Sequence, residues 1–303
     1  MRHYDTASTE IMVSVVINVW GKDDPKSLKR SLSSIQNQRN RPKEVLVVID
    51  GPVSSNLYQV IQDFISQAVF PVRTIKTEVS TGLWNARNIG IAATESEFIA
   101  LHDADDVMHP DRLGMQLKQM RFEGIDILGS PVYEFDAVDE KIIGLRSLTK
   151  NRQIYQKMIW SNVINHSSVM LRKSAVSSVG GYRRVYLAED YDLWLRLINQ
   201  GRKFAITDFV LQAFSVDRNL NRRRGGLRFI SSEFAIHRLV RNSKSLNWLK
   251  LWVRLLSRLA FRLGPGFMRQ NHRQFFQTQR VQNSAHNLQE FLNQPPVNVS
   301  QNS

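Results

Sequence analysis

Four times within its first 105 residues the chain alternates a short apolar run with a stretch of helical periodicity. Val13 to Val19 (Val-Ser-Val-Val-Ile-Asn-Val) is brief and β-branched, as a strand buried on both faces must be. Leu28, Leu32 and Ile35 then recur at helical spacing, and Val45 to Ile49 is a second strand, stopped by Asp50-Gly51-Pro52. Leu57 to Ile65 is helical, Val72 to Ile75 a third strand, Trp84 to Ala93 a third helix and Phe98 to Leu101 a fourth strand. Strands and helices in strict alternation with short links predict βαβ units, hence a mostly parallel sheet with right-handed crossovers and helices on its faces. Ligands bind such sheets at the carboxyl ends of the strands.

The fourth strand ends in Asp103-Ala104-Asp105-Asp106. Three carboxylates within four positions repel one another beside the core unless a cation neutralises them. Oxygen-rich sites suit Mg²⁺ or Mn²⁺, which bind one or two carboxylates together with substrate phosphates. The residues allow two readings: a metal-assisted nucleotide site, or a solvated acidic turn that caps the helix near Pro110. Asp50 ends the second strand at the same sheet edge and can either accept hydrogen bonds from a base or ribose or form an ordinary Asp-Gly turn. Arg87, on the helix after Thr81-Gly82, can pair bidentately with a diphosphate or lie on a helix surface. Glu189-Asp190 opens a helix carrying Trp194. One carboxylate there suffices to complement the helix dipole, and the other can serve as general base toward a sugar hydroxyl. His102 and His166 read as hydrogen-bonded packing residues.

Beyond residue 107 the pattern loosens. Pro110 to Phe122 and Asp190 to Gln200 are helical, Ile125 to Gly129, Val132 to Phe135 and Ser168 to Leu171 are strands, and Ala205 to Phe214 returns to strand. The net charge of +14 is concentrated in one place. Residues 218–280 hold fifteen Lys/Arg against Glu233 alone, while the first 217 residues are nearly balanced. Within that segment, the loop Arg222-Arg223-Arg224-Gly225-Gly226 can contact phosphates or act as a solvated hinge. Leu246 to Leu263 places Lys250, Arg254, Arg258 and Arg262 on one stripe opposite Trp and Leu. That pattern fits the interface of an anionic membrane, or a helix packed on its own domain. Without interleaved aromatic residues or a recognised nucleic-acid fold, nucleic acid is not the expected partner. Residues 281–303 are rich in Asn, Gln, Ser and Pro and are expected to be disordered. There is no cysteine, which fits a reducing compartment, and no run of eighteen uncharged apolar residues.

Taken in order, the opening strand, Asp50-Gly51-Pro52, Gly82-Leu83-Trp84-Asn85-Ala86-Arg87-Asn88, Asp103-Ala104-Asp105-Asp106 and Ala188-Glu189-Asp190-Tyr191-Asp192-Leu193-Trp194 resemble a family 2 glycosyltransferase of the GT-A fold. The likeness covers about residues 12–226. Asn165-His166-Ser167-Ser168-Val169-Met170 and the Arg-rich loop look most like bacterial enzymes of capsular or exopolysaccharide synthesis, the amylovoran-type branch. The resemblance implies that Asp50 contacts the uracil or ribose of a UDP-sugar, Asp103 the ribose and diphosphate, Asp105 a Mn²⁺ or Mg²⁺ ion, and that Asp190 is the catalytic base. Arg87, Glu189, Arg223 and Arg224 are expected at the substrate. Two positions depart from that branch: Ile49 stands where an acidic residue is usual, and Asn221-Arg222 where a Tyr is usual.

The expected protein is therefore an inverting, metal-dependent glycosyltransferase, peripheral on the cytoplasmic face of a bacterial membrane and acting on a lipid-linked saccharide. A catalytically silent sugar-nucleotide-binding subunit is the alternative. The expected layout is an N-terminal extension (1–11) and a Rossmann-like catalytic domain (12–226) split into a nucleotide half (12–107) and an acceptor half (108–226). A basic amphipathic helical region (227–270) and a polar tail (271–303) follow.

Overall fold

A computed structural model describes residues 13–146, 151–216, 228–243, 247–263, 278–279 and 285–299. The first half follows the alternation: β1 (Val13–Trp20), α1 (Pro25–Gln36), β2 (Glu44–Asp50), α2 (Ser55–Gln67), β3 (Val72–Lys76), α3 (Leu83–Ala93) and β4 (Phe98–Asp103). Local chemistry sets the boundaries. Asp24 caps α1 by accepting the Ser27 N–H at 2.8 Å, with Pro25 in the first turn. Alternate residues of β1 enter opposite cores. Val13, Val15, Ile17 and Val19 meet α1 and α2, while Val16 faces α3. Gly90 is what lets α3 lie so close, since a Cβ there would stand 2.5 Å from Val16.

The second half comprises β5 (Val107–Met108), α4 (Arg112–Glu123), β6 (Ile127–Gly129), β7 (Val132–Asp136), β8 (Ile142–Arg146), α5 (Ile154–Met158), β9 (Met170–Arg172), α6 (Lys173–Ser178), α7 (Glu189–Asn199), β10 (Phe204–Ile206) and β11 (Gln212–Val216). Helices α8 (Arg228–Asn242) and α9 (Trp248–Leu263), strand β12 (Thr278–Gln279) and helix α10 (Leu288–Asn293) follow. The main sheet has seven strands in the order β10-β6-β9-β4-β1-β2-β3, parallel except for β9, which runs antiparallel between β4 and β6. A five-stranded sheet, β12-β8-β7-β11-β5, stands beside it. The register aligns Trp20 with Asp50 and Asn18 with Asp103, so the ends of β1, β2 and β4 share one edge.

Three sequence expectations change. Ala205 to Phe214 is not one strand. β10 ends against the three-residue β6, and the chain then crosses to the second sheet as β11. The crossing is held by Val210 N–H on Val297 C=O and Val299 N–H on Asp208 C=O. The tail is accordingly not wholly disordered. Leu288 and Phe291 are buried with Tyr133, Phe135 and Val210, an apolar pair that a polar average conceals.

The third change concerns α9. Its basic stripe points inward. Arg254 is fully buried and donates to the Ile159 carbonyl and the Tyr191 hydroxyl. Arg258 and Arg262 reach Glu233 on α8 at 3.0 and 2.8 Å. Glu233 is itself buried; burial alone would raise its carboxyl, but the two guanidinium groups hold it below its ordinary value. Only Lys250 of the stripe is exposed.

Candidate active site

β4 delivers Asp103 to the shared edge, and the turn after it carries Asp105 and Asp106. These three carboxylates have different surroundings. Burial would push Asp103 up, yet His166 and Arg87 beside it hold it well below the usual range. Burial and the Asp103 charge push Asp105 up to about 7. Asp106 is fully buried and is also raised well above its ordinary value, by burial and then by its two neighbours. One Asp106 oxygen accepts the Ser215 N–H at 2.9 Å, tying this turn to β11. Asp106 thus faces the interior and holds the turn, leaving Asp103 and Asp105 for the cleft.

Arg87 joins the two halves of the site. It is buried, 3.1 Å from Glu189 Oε1 and 3.5 Å from Asp103 Oδ1, over the Tyr182 ring. A guanidinium shared by two carboxylates in a dry setting is committed to them. Arg87 therefore braces β4 against the first turn of α7. Glu189 is correspondingly a partner of Arg87.

Asp190 follows Glu189 and is partly exposed. One of its oxygens accepts the Tyr191 N–H at 2.7 Å and the other accepts Asn162 Nδ2 at 2.8 Å. Tyr191 in turn donates to the Met158 carbonyl, so the segment around 158–162 is fastened to the base helix. The helix entry is bent by Leu187, a non-glycine residue with φ of 48°. Asn162 is not prominent in the sequence, because a lone Asn thirty residues from a carboxylate carries no spacing signal. Replacing Asn162 with Ala should lower kcat roughly 10–100-fold, the scale of one hydrogen bond to a charged group. KM for the donor should hold within a few-fold; steady-state kinetics checks both.

Asp50 ends β2 and is held by the loop between β3 and α3. Its Oδ1 accepts the Thr81 N–H and hydroxyl at 2.7 and 2.9 Å, and its Oδ2 accepts the Ser80 hydroxyl and the Gly82 N–H at 2.8 and 3.0 Å. Those four donors, with Thr77 at 3.3 Å, fill the acceptor capacity of a carboxylate. Asp50 thus anchors the loop that launches α3. At the same edge Trp20, at the end of β1, is 46% exposed. It lies beside Asp23, whose carboxyl accepts the Trp20 N–H and is pushed up to about 6, chiefly by burial. Neither residue was selected from the sequence; an aromatic at a strand's carboxyl end in this topology was the available signal.

His166 also belongs to the site. Its Nε2 lies 2.9 Å from the Tyr182 hydroxyl and its Nδ1 3.7 Å from Asp103. His102 behaves as the buried packing residue expected of it, lowered to about 3 by burial and the nearby Arg112 charge. Asn88 clamps Tyr182 by accepting its N–H at 2.7 Å and donating to its carbonyl at 2.9 Å. This clamp requires Gly181, at φ of 70°, where a Cβ would meet Asn88 Oδ1 at 2.4 Å. Arg223 and Arg224 lie outside the described residues.

No cluster of three His, Cys, Asp or Glu able to cage a metal occurs among the described residues. What the site offers is Asp105, exposed on the turn and raised to about 7 beside Asp103, with Arg30 the cation acting on it. Asp105, the carboxylate of the pair whose ionised form is disfavoured, beside an ionised Asp103, suits an ion whose remaining ligands are phosphate oxygens and water, so the donor set fits Mg²⁺ or Mn²⁺.

A parallel sheet with this acidic turn at its edge, facing a carboxylate at a helix start, defines the GT-A class of glycosyltransferases. The chain superposes on S. aureus TarS 1–349 in complex with UDP with a TM-score of 0.60 at 17% identity, covering 92% of this chain and 76% of that one. A Pyrobaculum calidifontis mannosyltransferase in complex with GDP-Man and Mn²⁺ gives 0.59 at 12%, covering 88% and 75%. A family model for glycosyl transferase family 2 matches residues 14–180, and the chain belongs to that family. The amylovoran biosynthesis glycosyltransferase AmsE of Erwinia amylovora is 31% identical, over 84% of this chain and 95% of its own. A UDP-Gal:α-D-GlcNAc-diphosphoundecaprenol β-1,3-galactosyltransferase of Escherichia coli is 28% identical, over 83% and 91%.

Proposed function

We propose that the chain transfers a sugar from a UDP-sugar to a hydroxyl of a lipid-linked saccharide, with inversion, at the cytoplasmic face of a bacterial membrane during capsular, exopolysaccharide or O-antigen synthesis. The observation that carries this reading is the Arg87 brace. By holding Asp103 and Glu189 on one guanidinium, it brings the first turn of α7, which carries Asp190, next to the end of β4. The related galactosyltransferase is named for a UDP-sugar and a diphosphoundecaprenol-linked acceptor, which supports the donor and acceptor classes.

The chemistry follows from these positions. Asp190, held open by Asn162, takes the proton of the acceptor hydroxyl as its oxygen bonds to the anomeric carbon. The bond from that carbon to the diphosphate breaks with its electron pair, leaving UDP. A single displacement from the face opposite the leaving group inverts the anomer. Mn²⁺ or Mg²⁺ on Asp105 and Asp103 would supply the positive charge that a departing diphosphate needs. Trp20 stacks the base, and Arg223 and Arg224 are assigned to the phosphates.

The test is UDP release from a panel of UDP-, GDP- and dTDP-sugars with Mn²⁺, Mg²⁺ or EDTA. At least one UDP-sugar should be turned over with metal and lose nearly all turnover in EDTA. Metal-dependent binding without release from any donor would instead identify a silent sugar-nucleotide-binding subunit.

A further inference from the structure

The inward turn of the α9 arginines has an opposite side. Trp248, Leu249, Trp252, Val253, Leu256 and Leu263 are between 52% and 73% exposed. On a helix advancing 100° per residue they form one continuous apolar arc, with Leu259 and Ala260 inside it. The buried ion pairs of Arg258 and Arg262 with Glu233, together with Arg254 beneath, stop the helix from rolling this arc inward.

We infer that the exposed arc of α9 seats the protein on a lipid surface by apolar insertion, the reverse of the electrostatic contact that the basic stripe suggests. Several observations select lipid as the occupant. The arc offers no polar group except two indole N–H, whereas a protein interface of this size brings hydrogen-bonding groups. Both indoles sit in the N-terminal half of the helix, and tryptophan favours the headgroup level. Lys250 is exposed next to the arc's edge on the same helix, and Arg238 and Arg241 are exposed on the neighbouring α8. No helix among the described residues is long and apolar enough to cross a membrane, so α9 lies in the interface plane.

The contact also has a consequence for the site. Arg254 is bonded to Ile159 and Tyr191, and the same segment supplies Asn162 to Asp190. The helix that meets the lipid is therefore bonded directly to the helix that carries the base, which fixes the height of Asp190 above the membrane. The choice of lipid rests in part on the lipid-linked acceptor proposed above. The binding measurement needs no substrate, so it can fail while donor turnover succeeds, and the reverse.

The experiment is co-sedimentation of the full chain with phosphatidylcholine vesicles, with and without phosphatidylglycerol, beside the variant Trp252→Glu/Leu256→Glu. Both side chains are exposed, so the variant should keep the wild-type melting temperature and UDP release. Wild type should bind both vesicle types and keep most of its binding in ~1 M NaCl, where the Debye length is ~3 Å. The variant should bind roughly 10–100-fold more weakly, as expected for two large apolar contacts. Equal binding by wild type and variant, binding abolished by salt, or no binding by wild type would each overturn the inference. So would a wild-type dimer that the variant dissolves, which would show that a second copy covers the arc.

Discussion

Replacing Asp190 with Asn is expected to lower turnover by roughly 10²–10⁴-fold, the usual contribution of a positioned general base. Asn keeps the size of Asp190 but only one acceptor oxygen, so it can keep the bond from the Tyr191 N–H while the Asn162 amide must turn away from it or flip. What it loses is the ability to take the acceptor proton as the new bond forms. Binding of UDP should stay within a few-fold of wild type, because Asp190 lies on α7 and the nucleotide is assigned to the edge formed by β1 and β4. Single-turnover kinetics and calorimetric UDP titration check the two halves separately. Near-normal turnover would assign the base elsewhere; weakened UDP binding would mean that Asp190 holds the cleft together.

The second large effect is expected at Asp105, with opposite signs for activity and stability. Asp105→Asn should abolish metal-dependent turnover, by about 10³-fold or more, since the charge that holds the ion against the diphosphate is gone. The same change should stabilise the metal-free fold. Burial and Asp103 raise the Asp105 carboxyl to about 7, so at pH 8 its ionised form opposes folding. Because Asp105 is solvent-exposed, water screens much of that charge, so removing it should raise the melting temperature by only a few degrees. The difference should shrink as pH falls toward 5, where Asp105 is protonated in the folded chain. Thermal melts at two pH values, with EDTA present, read the effect directly. A less stable Asp105→Asn chain would mean that the carboxylate is already satisfied and that the metal assignment is wrong.

Both predictions act on residues visible in the sequence, and the reason is physical. Strand character in Val13 to Val19, Val45 to Ile49 and Phe98 to Leu101 is written in consecutive β-branched and apolar residues, and the Asp residues follow at the strand ends. Local spacing therefore located Asp103, Asp105 and Asp190. It did not locate their partners. Asn162, Tyr182 and His166 reach the site only through folding, across sequence separations that carry no periodic signal. Asp50 shows the converse. Its position was legible, but whether its oxygens face a ligand or the 77–82 loop depends on where that loop returns. The crossing between β10 and β11 and the packing of Phe291 were hidden for the same reason, since both are set by contacts between residues 207–211 and the end of the chain.

α9 separates the two kinds of information most sharply. The sequence by itself determined that this helix has a basic face and an apolar face, because 3.6 residues per turn leave no other arrangement for Lys250, Arg254, Arg258 and Arg262. Which face meets solvent was decided only by tertiary structure. Glu233 on α8 and the Ile159 carbonyl offer the guanidinium groups buried partners, and an ion pair can outweigh apolar burial only where such partners are already in place.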